Sequence, residues 1–262
     1  MGFAVVTGAS SGIGEVFARK LAERGHDLVV VARRRARLEA LAGQVRGEQG
    51  RRVEVVEADL ATPAGRDAVW ARTEALGEPV EALVNNAGFG LRGAFARLDR
   101  VRQLEMVQLN VTAVTDLAHR YVVPMIERRR GAIINVASIA SFQPVPYLNV
   151  YAATKAYVLL FSEALGEEVR AEGVRVLALC PGPVATGFQE VSGTSITGVR
   201  GRTTAVSPER CVDEALAGLD EGRSIVVPGL PTRLMPAAVG FFPRTMITRI
   251  AGKAYRKRGE ST

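Results

Sequence analysis

Apolar positions fall along this chain in two alternating patterns. In short runs such as Phe3-Ala-Val-Val6 and Val29-Val-Val-Ala32 every residue is apolar, which predicts strands buried on both faces. Between these runs lie longer stretches whose apolar residues return every three or four positions, as on a helix with one buried stripe. The pattern predicts strands at 3–7, 27–32, 52–57, 81–85, 131–137, 174–180 and 224–227. Helices are predicted at about 12–24, 35–47, 63–76, 101–129, 151–172 and 208–220. Strict strand–helix alternation implies an α/β fold, a doubly wound parallel sheet of about seven strands joined by right-handed crossovers. No internal repeat or linker breaks the alternation, so residues 1–262 are expected to form a single domain.

Two stretches depart from it. From Gly187 to Val206 the composition turns to Gly, Ser and Thr with scattered apolar residues, and its place after the sixth strand suggests a substrate lid over 187–206. Residues 229–262 form a basic amphipathic C-terminal extension carrying seven Lys/Arg and one acid, a net +6 of the chain's +7. Such a segment can lie on an anionic membrane surface, but a pocket flap or subunit contact with a solvated basic end is the favoured reading. Nucleic acid binding has no motif behind it beyond charge.

At 47% hydrophobic and 23% charged residues the chain reads as soluble and globular. No run reaches the eighteen apolar residues of a membrane span. The first strand begins at residue 3, which leaves no room for a signal segment, and Val6 stands where a myristoylation motif needs Ser or Thr. Cys180 and Cys211 lack metal-ligand spacing, and His26 and His119 are isolated, so no metal site is expected. Reduced thiols point to a cytoplasmic location.

The chemistry is concentrated in Ser138–Lys155, SIASFQPVPYLNVYAATK. On a helix, Tyr151 and Lys155 share a face one turn apart, and Ser138 closes a buried strand at its carboxyl end, where ligands bind in open α/β sheets. Hydride transfer at a carbinol carbon needs such a set, because a base must take the hydroxyl proton as the hydride leaves. A phenol with a pKa of about 10 is a poor base at neutral pH. One ammonium about 4 Å away, at an effective dielectric of about 20, contributes about 4 kcal/mol, enough to lower a phenol pKa by about three units at most. A serine hydroxyl can hold the same substrate oxygen.

The first strand runs straight into Gly8-Ala-Ser-Ser-Gly12-Ile-Gly14 and a helical pattern, the arrangement that brings backbone close to a pyrophosphate at a helix N-terminus. Asn85-Asn-Ala-Gly88 follows another apolar strand, and Pro181-Gly-Pro183 a third. With TGASSGIG, NNAG, the Ser/Tyr/Lys spacing and PGPVAT in order, the sequence resembles the short-chain dehydrogenase/reductase family from about Phe3 to about Val227. An enoyl reductase of that superfamily is disfavoured, since those enzymes separate Tyr and Lys by six residues.

The resemblance implies a Rossmann-type fold and assigns roles. Tyr151 is the general acid/base, Lys155 lowers its pKa and binds the nicotinamide ribose, and Ser138 positions the substrate oxygen. Asn110, through its side chain or a distorted backbone, holds a water beside Lys155. Gly8, Ser10, Ser11, Gly12, Ile13 and Gly14 would contact the cofactor, as would Asp59, Leu60, Asn86, Ala87, Gly88, Pro181, Gly182, Val184 and Thr186. Phe89, Leu148, Pro183 and Phe188 are candidate pocket walls. After the second strand come Arg33 and Arg34, where NAD enzymes carry an acid for the ribose hydroxyls, so NADP(H) is expected, with Arg33 ahead of Arg34 on the 2′-phosphate. The expected function is an NADP(H)-dependent ketone or aldehyde reductase acting on a small or lipid-like substrate as a homodimer or homotetramer. The alternatives are a non-catalytic dinucleotide-binding regulator of this fold and a lipid ketoreductase at a membrane surface.

Overall fold

A computed structural model describes residues 2–184, 206–229 and 242–256. Seven parallel strands form one sheet in the order β3-β2-β1-β4-β5-β6-β7. They are β1 (Phe3–Thr7), β2 (Asp27–Ala32), β3 (Val53–Glu57), β4 (Val80–Asn85), β5 (Gly131–Val136), β6 (Val174–Leu179) and β7 (Ile225–Val226). Val5 lies opposite Val29 on one side and Leu83 on the other, and the register between β1 and β4 shifts by one residue between Phe3 and Ala4.

The two-residue strand period separates the two cores. Ala4, Val6, Val30, Val84 and Ile134 face α1 (Gly12–Glu23), α2 (Arg35–Gln49) and α7 (Pro208–Asp220). Their neighbours Phe3, Val5, Val29, Leu83 and Ile133 face α3 (Pro63–Ala75), α5 (Ala113–Glu127) and α6 (Asn149–Val169). A sheet covered on both faces has no polar side to offer, which is why its strands read as unbroken apolar runs. Asn85 and Asn135 break that rule and satisfy one another inside the sheet. Asn85 Nδ2 donates to Asn135 Oδ1 at 2.9 Å, and Asn135 Nδ2 donates to Ser162 Oγ on α6 at 2.9 Å.

Helix starts follow local chemistry. Thr62 accepts from Gly65 N ahead of Pro63, and Ser207 accepts from Arg210 N ahead of Pro208, each a capping side chain with proline in the first turn. The predicted helix 101–129 is three pieces: α4 (Arg100–Val107), a π-helical turn at Gln108–Thr112, and α5. The predicted helix 151–172 begins two residues earlier and ends at Val169, passing through a 3₁₀ turn to Gly173 at φ 76°. Both differences matter for the site, because the π turn carries Asn110 and the early start makes Leu148 the residue that precedes the helix.

The described part of the C-terminal extension adds α8 (Arg244–Tyr255), a helix that the apolar pattern left unassigned. Ile247 and Ala251 are buried beneath it, while Phe242, Met246 and Ile250 face outward beside its cations. All of the expected lid except Val206, with Phe188 in it, and Thr186 before it lie outside the described residues. No helix among the described residues is long and apolar enough to cross a membrane.

Candidate active site

Every strand runs toward the same edge, and the expected site residues collect there. β1 hands over to α1 through Gly8 (φ 66°) and Gly12 (φ 61°), both in the left-handed region that side chains resist. A Cβ on Gly8 would stand 2.7 Å from Asn86 Nδ2, and one on Gly14 would overlap the Gly8 carbonyl. Asn86 explains this tightness: its Nδ2 donates to the carbonyls of Thr7 (2.9 Å) and Gly8 (3.2 Å). Thr7 Oγ1 accepts from the amides of Asn86 (2.9 Å) and Ala87 (3.0 Å) and donates to Val84 O (3.1 Å). Thr7 thus splices the ends of β1 and β4. Ser11, the residue before α1, makes no side-chain cap bond, so the first-turn amides face the strand ends with the positive end of the helix dipole behind them.

A guanidinium completes this cradle. Arg34 Nη2 donates to Ser10 Oγ at 2.9 Å and Ser11 Oγ at 3.0 Å, so Arg34, rather than Arg33, is the arginine that touches the glycine-rich turn. Arg33 lies in an open cleft along β3 with Arg35, Glu57, Asp59 and Arg72. The Asp59 carboxylate accepts from Ala61 N at 3.1 Å, closing its own turn. Buried Leu60 packs in the second core, and its carbonyl is held by Arg66 at 3.0 Å. Backbone with no room for a Cβ, helix amides without a cap and an adjacent cation fit the phosphates of a dinucleotide.

The residues expected to react lie at the end of β5 and on α6. Ser138 ends β5 and accepts from Ala140 N at 3.1 Å, capping a 3₁₀ turn at Ile139–Phe142. Its hydroxyl is hydrogen-bonded to Tyr151 on α6. One turn further on, Lys155 Nζ donates to Val136 O at 2.7 Å and lies 5.9 Å from the Tyr151 ring centroid. Gly88 makes room for this, since a Cβ there would meet Asn110 Oδ1 at 2.8 Å and Lys155 Nζ at 3.4 Å. Asn110 is fully buried, its Oδ1 accepting from Phe89 N (3.2 Å) and its Nδ2 donating to Phe89 O (3.0 Å) and Thr154 Oγ1 (3.1 Å). Thr154 in turn donates to Tyr151 O at 2.7 Å. Ile139 N donates to Pro181 O at 3.0 Å, fixing the Pro181–Pro183 turn beside Ser138, and Val206 N donates to Pro183 O at 3.1 Å. Val184 pairs with Val206 in an isolated bridge.

Burial governs the titration of the pair. It pushes the Tyr151 phenol up to about 12, with the Ser138 hydrogen bond pulling the other way. It brings the Lys155 ammonium down to about 8. Lys155, expected to lower the phenol, is not among the groups that shift it here: burial, Tyr255 and Cys180 raise it and Ser138 lowers it. The ammonium donates to the Val136 carbonyl, and loss of water acts on both groups at once. Cys180, buried close by, is likewise pushed up to about 12 and is an inert thiol at neutral pH.

Of the candidate walls, Phe89 and Leu148 pack with Tyr151, Met106, Ala140 and Val145 in an apolar cluster separate from the two main cores. Pro183 is half-buried at the strand ends. Thr7, Thr154 and the Val136 carbonyl complete the site without having been singled out in the sequence: Thr7 and Thr154 lie inside TGASSGIG and the Ser138–Lys155 stretch, but their hydrogen bonds depend on the fold.

The family model described as short chain dehydrogenase matches residues 2–196. The 7beta-hydroxysteroid dehydrogenase of Collinsella aerofaciens is 31% identical over 225 residues, 85% of this chain and 84% of that protein. The very-long-chain 3-oxoacyl-CoA reductase of Anas platyrhynchos is 33% identical over 74% of this chain, which spans only 63% of that relative's length. Among solved structures, a short-chain dehydrogenase from Sphingobium yanoikuyae in complex with NADPH superposes with a TM-score of 0.83 at 32% identity, covering 100% of this chain and 99% of the other.

Burial of Lys155 predicts a pH signature. Its folded-state pKa of about 8 lies below the 10.5 of an exposed lysine, so the unfolded chain holds the proton more tightly. Between those two values this group makes stability rise with pH, and below the lower one its penalty is complete. In ligand-free protein, the denaturation midpoint of wild type relative to Lys155→Met should climb from about pH 8 to about pH 10. A flat difference across that range would refute the buried ammonium.

Proposed function

The chain belongs to the short-chain dehydrogenase family, and from that premise we propose that it is an NADP(H)-dependent reductase of ketones or aldehydes with an apolar body. The observation that carries the reading is the convergence of Ser138, Tyr151 and Lys155 at the strand ends, with the phenol protonated at neutral pH. A general acid is what a carbonyl oxygen needs as its carbon accepts a hydride. When bound, NADPH supplies that hydride. Ser138 holds the carbonyl oxygen, Tyr151 donates the proton to it, and the Lys155 ammonium opposes the charge left on the phenol oxygen. The Asn110 side chain is committed to Phe89 and Thr154, so the water of the proposed relay would rest on the backbone of the π turn.

Two features support NADP(H) over NAD(H): Arg34 on the Ser10 and Ser11 hydroxyls, and Arg33 following β2 where an acid would serve NAD. The NADPH complex of the Sphingobium relative is in keeping with this. The apolar walls at Tyr151, and relatives named for steroid and long-chain acyl substrates, favour a lipid-like ketone. A homodimer or homotetramer is supported by Val101, Leu104, Tyr157 and Leu160, apolar side chains exposed on α4 and α6.

Tyr151→Phe should lower kcat about 10²–10⁴-fold while NADPH affinity holds; wild-type turnover in that variant removes the acid. Arg34→Glu combined with Arg33→Asp should weaken NADPH by about ten- to a hundredfold and spare NADH. An unchanged preference ratio would rule out the 2′-phosphate assignment. Light scattering should report at least a dimer for wild type and a smaller particle for Leu160→Glu, whereas a monomeric wild type excludes the assembly.

A further inference from the structure

A side chain from the far end of the described chain joins the apolar cluster at the active site. Tyr255, the last residue of α8, packs against the group that contains Phe89, Leu148 and Tyr151. It is held there by Arg92, whose Nε and Nη2 donate to the Tyr255 carbonyl at 3.2 and 2.7 Å. The same guanidinium lies 5.6 Å from the centroid of the Tyr255 ring. That carbonyl is one of the last in its helix, which have no partner within the helix and sit at the negative end of its dipole, so a cation is the fitting clasp.

α8 also rests on the loop that leads into α6. A Cβ on Gly252 would be 3.4 Å from Pro146 Cγ, in ordinary contact. The next residue, Tyr147, holds a left-handed φ of 65°, and its carbonyl accepts from Gly93 N at 2.9 Å. A non-glycine residue in that region is strained by about 1–2 kcal/mol, so surrounding contacts must impose it. The contacts from residues 92–93 and from α8 converge on this loop and on Leu148 behind it. The Tyr255 phenol is close enough to act electrostatically on Tyr151, adding to the effect of burial.

We propose that Tyr255 is a specificity-determining residue: with Phe89 and Leu148 it forms the wall that takes the apolar body of the ketone in front of Tyr151, and Arg92 is the positioning residue that keeps it in place. An aromatic ring suits that place, giving a flat apolar surface to the ligand. The substrate class is a ketone with a planar or cyclic hydrocarbon body. The inference rests on the reductase reading, and its test separates the two.

Calorimetry of 1-tetralone with the NADP⁺-loaded protein reads ketone binding without turnover, because the oxidised cofactor cannot reduce it. Tyr255→Ala should weaken tetralone about tenfold, and Tyr255→Phe, which keeps the ring, by less than about twofold. Arg92→Ala should weaken it similarly, with partial recovery in Arg92→Lys, while NADP⁺ affinity stays at the wild-type value in all four. Wild-type tetralone affinity in Tyr255→Ala overturns the proposal, as does an equal loss of NADP⁺ affinity, or a wild type that binds no tetralone. A wild type that binds tetralone through Tyr255 but fails to reduce it with NADPH sinks the reductase reading and upholds the wall.

Discussion

Holding an ammonium in a dry interior is the constraint on which this site depends. Lys155 is 5% exposed, and its Nζ reaches a backbone carbonyl at the end of β5. A buried charge costs several kcal/mol unless polar atoms surround it. The surroundings are shaped accordingly: Gly88 leaves the space beside Nζ, the π turn brings Asn110 within contact of Gly88, and Thr154 joins Asn110 to the helix that carries the lysine. Removing any of these shifts the others, because interiors are close-packed and relax only partly.

That constraint also sets how the two titrating groups divide their work. Coulomb attraction at close range in a partly wet site would have made the phenol a base near neutrality. The interior instead raises the phenol to about 12 and lowers the ammonium to about 8, drawing their pKa values apart. The phenol keeps its proton at neutral pH and is an acid in waiting. In the proposed reduction that proton is the one given to the carbonyl oxygen.

The sheet was legible because a strand covered on both faces has to be apolar throughout, and every predicted strand lies within two residues of its observed limits. The glycine-rich turn, the asparagine after β4 and the Ser/Tyr/Lys set were legible for a different reason: each carries chemistry at a fixed spacing. What escaped was of another kind. A π turn adds a residue to a helix without altering the apolar pattern enough to be seen, so residues 101–129 read as one helix. Arg34 outranks Arg33 at the glycine-rich turn through side-chain direction, which composition does not encode. α8 was hidden by its cations and by an inner face of only Ile247, Ala251 and Tyr255, too narrow to stand out from a basic tail. Tyr255 lies more than a hundred residues beyond Tyr151, and only the fold brings the two phenols together.

The strand order has a consequence for how the protein is made. β1 is the first strand to leave the ribosome, yet it belongs between β2 and β4, so one of its edges stays bare while the intervening residues are synthesised. The cradle around Gly8 cannot close before Asn86 has emerged, and the acid and its ammonium come later still, on α6. Through that interval the nascent chain exposes the strand runs that make the finished sheet so well buried, and no dinucleotide can yet protect them. That exposure follows from the strand order, and it would persist in a variant whose finished fold was made more stable.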